Sequence, residues 1–198
     1  MKRQYSNFPL FIFLLIISLN QSCNTSPDGL PPKEVAEEYL RRGDSIVKVT
    51  FDTLRQALTQ AMADKGLPGA VLYCNEQAYP ITNMLSNENI RVKRVAEKTR
   101  NPQNKLDSLD RMMWENYTRV KEKAEAQEPV VLFEENKVHY YKPILLQPMC
   151  TSCHGQVGTN IPSSLATIID SIYPADKAKG FKPGDLRGLW HIEFSDYK

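Results

Sequence analysis

Cys150-Thr-Ser-Cys153-His154 constrains this chain more than any other stretch. It has the form C-x-x-C-H, the attachment signature of a c-type haem. Cysteines at that spacing can close two thioethers onto the vinyl groups of one porphyrin, and the adjacent histidine then falls beneath the iron. The position of the motif restricts the fold. Class I cytochromes c are all-helical with the motif near the N-terminus, whereas here it follows strand-like segments near the other end. Rival readings need features that are missing from the sequence. A thioredoxin-like dithiol needs a βαβ setting, and a zinc site needs a second ligand pair. A disulfide within the motif would close a very small loop.

The N-terminus points to export. Lys2 and Arg3 precede an unbroken apolar run from Leu10 to Ile17. That run has the length of a signal-peptide core and is short for a membrane span. Ser22-Cys23 reads as a lipoprotein processing site, with residues 1–22 removed and Cys23 lipidated. Asn20 and Gln21 depart from the usual pattern, so a plain secretory signal or an uncleaved anchor is the alternative. Residues 23–32 read as a tether and residues 33–198 as a single domain. Removing residues 1–22 takes Lys+Arg from 25 to 23 against 23 Asp+Glu, a net charge of zero. That balance gives no electrostatic basis for nucleic-acid binding. The expected location is periplasmic, held to the membrane by the lipid.

Cysteine arithmetic isolates one thiol. The chain has four cysteines. With Cys23 lipidated and Cys150 and Cys153 bound to haem, Cys74 remains. A lone thiol in an oxidising compartment is either a small buried hydrophobe or a ligand, here the second axial ligand of the iron. The other ligand candidates are His139, His191, Met84, Met112, Met113 and Met149.

Apolar spacing predicts a helix over about 33–65 with Gly43 as a weak interruption and Gly66 as its stop. A second stripe through Val71, Cys74, Ala78, Ile81 and Leu85 turns Cys74 inward, with a kink at Pro80. The basic run from Ile90 to Asn104 reads as a solvated loop, with one or two arginines free to meet haem propionates. Leu106 to Ala126 reads as a helix with Leu109, Met112, Met113, Tyr117 and Val120 on its apolar face. Residues 129–146 read as a β-hairpin, Ser163 to Ile172 as a short helix, and Gly188 to Phe194 as a closing strand. Alternation on that strand puts Trp190, Ile192 and Phe194 inward and His191 outward. The class is α+β with a small antiparallel sheet.

Several blocks together resemble a family of exported single-haem c proteins with a PAS-like fold, long known only as a domain of unknown function. The blocks are Cys74-Asn-Glu-Gln-Ala-Tyr-Pro-Ile81, Arg94-Val-Ala-Glu-Lys-Thr-Arg-Asn-Pro-Gln-Asn104, Tyr140 through Gly155, and Tyr173-Pro with Gly180-Phe-Lys-Pro-Gly-Asp-Leu-Arg-Gly188. The resemblance covers roughly residues 35–195. It implies a PAS-like antiparallel sheet with flanking helices, His154 as proximal iron ligand and Cys74 as the second ligand. One departure is Lys105-Leu-Asp-Ser-Leu-Asp110, where the family tends to continue with a Pro-Asp and an aromatic-acidic element.

A thiolate opposite a histidine stabilises ferric iron, and its release on reduction would open a site for a diatomic gas. The leading expectation is therefore an exported haem-based redox or gas sensor, handing its signal to a separate partner protein. The alternative is a small periplasmic electron-transfer cytochrome or an accessory subunit of a respiratory chain. An enzyme is the least favoured class, because no clear distal acid–base group is legible.

Overall fold

A computed structural model describes residues 31–197. The signal segment, Cys23 and most of the tether lie outside the described residues. Helix α1, Lys33–Asn83, comes first and is broken at Gly66, whose φ of 65° lies in the left-handed region that favours glycine. Pro68 follows, in the first turn of the second arm, where a missing N–H costs nothing. The expected stop at Gly66 is thus a bend, and both apolar stripes belong to one angled helix. Pro80 removes a donor inside the second arm. Thr82 Oγ1 (2.6 Å) and Arg94 Nη2 (3.2 Å) both donate to the Ala78 carbonyl and hold that turn.

Four antiparallel strands form one sheet in the order β1-β4-β3-β2. They are β1, Ile90–Val95, β2, Val130–Glu134, β3, Lys137–Leu145, and β4, Leu186–Phe194. Helix α2, Ser108–Glu122, lies between β1 and β2 in sequence. Two short helices, α3, Thr151–His154, and α4, Ser163–Ile172, lie between β3 and β4. This is the expected α+β architecture, with its long N-terminal helix, hairpin, short helix and closing strand.

The first part of the basic segment, Ile90–Val95, is a strand and not a solvated loop, whereas residues 96–104 are loop with a 3-10 turn at Pro102–Asn104. Val92 is fully buried while Arg91 is exposed, so charge density concealed an alternating pattern. The first arm of α1 covers one sheet face, where Tyr39 and Val47 pack with Val92, Val138, Tyr140, Trp190, Ile192 and Phe194. Each such large side chain contributes about 1.5–3 kcal/mol on burial. Gly43 is a contact point here, since a Cβ would lie 2.2 Å from the Tyr140 ring. Helix α2 covers the other face through Met113 and Tyr117, which pack with Val95, Tyr141, Leu186 and Leu189. Met112, expected on that apolar side, is exposed.

The segment of departure from the family pattern starts α2. Asp107 accepts from the Asp110 N–H at 2.8 Å, and Asp110 accepts from the Asp107 N–H at 3.2 Å. This reciprocal cap sets the first turn. His191 is only 1% exposed, against the expected outward orientation, because α2 makes the second face of the sheet a second core.

Candidate functional site

A 3-10 turn, Pro148–Cys150, leads directly into α3. The Thr151 hydroxyl donates to the Pro148 carbonyl at 2.7 Å and fixes the entry to that turn. Cys150 therefore ends the 3-10 turn while Cys153 and His154 close α3, with both thiols free and half-buried. Cys153 packs beside a cluster of Val71, Ile161, Leu165, Ala166 and Ile169, which joins α4 to the second arm of α1. Cys150 packs against Leu146, Ala178 and Phe181.

His154 is oriented by its backbone partner. The Ala178 carbonyl can only accept, so His154 Nδ1 donates to it at 2.8 Å. That assigns the proton to Nδ1 and leaves the Nε2 lone pair for a metal. Burial, then the Arg187 and Arg100 charges, push the imidazole well below its ordinary value and keep it neutral.

The Ala178 carbonyl is itself held in place. Asp176 Oδ1 accepts from the Ala178 N–H at 2.9 Å. Arg100 forks onto Asp176, Nε to Oδ1 at 3.2 Å and Nη2 to Oδ2 at 3.0 Å. The same Nη2 donates to the Cys153 carbonyl at 2.7 Å. Two backbone bonds complete the clamp, Gly180 N to Gly155 O at 2.8 Å and Phe181 N to His154 O at 2.9 Å.

These groups open onto a cleft of about 250 Å³. A single ordered water needs only about 10–15 Å³, so the space is far larger than a packing defect. Both arms of α1 line it through Leu54, Leu58, Met62, Val71 and Cys74. The sheet contributes Arg94, Ile144, Arg187 and Trp190, and the motif contributes Cys150, Cys153 and His154. Cys74 is half-buried there. Burial raises its thiol pKa, and the Arg94 charge partly opposes this. Arg94 also anchors the following turn through Thr82 Oγ1 at 2.9 Å and the Ala78 carbonyl. The cleft thus offers an imidazole nitrogen, three thiols and a largely apolar wall, a donor set that fits a covalently attached haem.

The remaining ligand candidates separate on position. Met149 lines the cleft, but it adjoins Cys150. Met84 and Met112 are exposed, and Met113 is buried beneath α2. His139 and His191 lie in a separate buried network. His139 Nδ1 meets His191 Nε2 at 2.9 Å, and His191 Nδ1 meets Asp110 Oδ1 at 2.6 Å. Tyr141 donates to the same carboxylate at 2.8 Å. Donor atoms of Asp107, Asp110 and His191 lie within 4.8 Å of one another. Lys93 Nζ already occupies the charge there, 2.9 Å from Asp107 and 3.5 Å from Asp110, which gives the cluster a structural role. Sequence reasoning missed Met62, a thioether in the cleft, and the pairing of Arg100 with Asp176. A charge count does not distinguish inward from outward arginines, and 76 residues separate that pair.

The family model described as Tll0287-like matches residues 33–195. The crystal structure of the cyanobacterial heme-protein Tll0287 is similar at a TM-score of 0.53 and 22% identity, over 85% of this chain and 99% of that chain. At that identity the likeness speaks for the fold. No curated protein gives a significant match.

Proposed function

The chain belongs to the Tll0287-like family, and from this premise we propose that it binds one haem c covalently and acts as an exported redox or gas sensor. Cys150 and Cys153 carry the thioethers, His154 is the proximal ligand and Cys74 is the second axial ligand. Residues 1–22 direct export, Cys23 carries the lipid, and the domain works on the periplasmic side of a membrane. The observation that carries the reading is His154. Its Nδ1 proton is committed to Ala178, its Nε2 is free, and two free thiols precede it at the lip of an apolar cleft that Cys74 also lines. That the similar crystal structure is of a heme-protein supports the same cofactor.

Held in the cleft by Cys150, Cys153, His154 and Cys74, a haem would supply one-electron redox chemistry and, if Cys74 were released, gas binding. The chain's own residues set the terms. Arg100 and Asp176 hold the loop that orients His154. Burial favours the neutral Cys74 thiol, so Cys74 would hold the metal as thiolate and would carry a proton when not bound to it. That is a two-state element of the kind a sensor needs.

Absorption and electron paramagnetic resonance spectra of the purified haem-loaded protein test the ligand set. Cys74→Ala is expected to abolish thiolate charge-transfer character in the ferric state. An unchanged spectrum removes Cys74 and makes Met62 the ligand to mutate next. If the reduced protein keeps both axial ligands and ignores carbon monoxide, the sensor role fails and the electron carrier stands.

A further inference from the structure

Four arginines and no aspartate or glutamate line the cleft among the described residues. Arg55 is exposed on α1, where Asp52 lies within its charge range. Arg100 is neutralised by Asp176, whose side chain is fully buried. The other two have only uncharged partners. Arg94 donates to the Thr82 hydroxyl and the Ala78 carbonyl. Arg187 Nη1 donates to the Lys98 carbonyl at 3.2 Å, and its Nε is buried with no partner at all. Arg94 sits 5.8 Å from the Trp190 ring centre and Arg187 5.3 Å from that of Phe181, contacts that stabilise a cation without neutralising it.

A guanidinium removed from water without an anion is expensive, and one with an unmade hydrogen bond more so. Two such groups facing one cleft call for two negative charges from its occupant. We propose that Arg94 and Arg187 bind the two propionate carboxylates of the haem, which rests on the haem reading above. Asp176 also lies in charge range of Arg187, but its carboxylate is taken up by Arg100 and Lys179, so Arg94 and Arg187 are the two buried cleft cations with no anion in hydrogen-bond contact, and one haem brings two carboxylates. The Cys74 sulfur also lies in charge range of Arg94, but a sulfur bound to iron is already compensated by the metal. Planar guanidinium donors suit carboxylates in particular.

Resonance Raman spectroscopy of the haem-loaded full chain tests this, because propionate bending bands respond to hydrogen bonding at the carboxylates. Arg187→Gln and Arg94→Gln are each expected to shift those bands, and Arg187→Lys to shift them less. Arg111→Gln, on α2 with Glu97 as partner, is expected to leave them in place. Loss of an arginine should also make the midpoint potential vary with pH near neutrality, as a propionate begins to titrate. An Arg187→Gln spectrum identical to that of the wild type overturns the proposal, and this holds even where Arg94→Gln fails to fold. Sodium nitrite serves as a free-anion probe. Arginine-dependent nitrite binding with unshifted propionate bands would assign the cations to a soluble anion and overturn the proposal too. Absence of covalent haem in the wild-type protein instead fails the haem reading itself.

Discussion

Asp176→Asn removes the charge that holds Arg100 against the motif. The Asp176 side chain is 0% exposed and that of Arg100 12%, so water can replace little of what is lost. The carboxylate accepts two bonds from Arg100 and one from the Ala178 N–H. An asparagine keeps the shape but turns one acceptor into a donor facing the guanidinium. Breaking a buried pair by removing one partner costs about 3–5 kcal/mol. For a domain of this size 1 kcal/mol moves Tm by roughly 2–4 °C, so the expected drop is about 6–20 °C. That is a large part of the total, since domains are stable by only about 5–15 kcal/mol. Thermal unfolding of the haem-loaded protein, followed by circular dichroism, measures it. Amide exchange at Ala178 should accelerate in the same variant, because its N–H loses its acceptor. A drop below about 2 °C, corresponding to under 1 kcal/mol, with unchanged exchange at Ala178, would refute the reasoning that this pair fixes the His154 loop.

Gly43→Ala places a Cβ 2.2 Å from the fully buried Tyr140 ring. Overpacking of this kind costs about 1–3 kcal/mol, readable as a lower urea midpoint at unchanged slope. Acid should destabilise the domain through the α2 network. Burial alone would raise the Asp110 carboxyl, but the His191 bond and charge, Lys93 and the Asp107 N–H outweigh it and hold it well below the carboxylate range. Burial keeps the His191 imidazole below its ordinary value, against the Asp110 hydrogen bond. Both groups bind fewer protons folded than unfolded, so stability rises with pH. It should begin to fall below about pH 6.5 and fall faster below about pH 4, where the unfolded histidine and aspartate take up protons. Denaturant midpoints across pH 3–8 measure this, and Asp110→Asn should flatten the lower limb.

Much of the fold was legible because local patterns carried it. The hairpin, α4 and β4 follow from short alternating or helical runs bounded by turns. The errors lie where a second layer changes the meaning of a pattern. His191 alternates outward from Trp190, yet α2 buries that face. Arg91, Lys93 and Arg94 read as solvated, yet Val92 between them is in the core. Gly66 reads as a stop, yet the chain continues in helix after one left-handed residue.

Sequence alone set Cys150, Cys153 and His154 within five residues of one another, and the short helical turn there brings them to one edge of the cleft. Sequence also pointed inward at Cys74, through helical spacing. Tertiary structure decided which partners those groups have. The His154 tautomer depends on the Ala178 carbonyl, which depends on Asp176 and on Arg100 from a distant strand exit. Cys74 joins the motif only because α1 bends at Gly66 and its second arm lines the same cleft. Hydrogen bonds and charges act over a few ångströms in space. Separations of 24, 53 and 76 residues along the chain are therefore closed by packing and by no local rule.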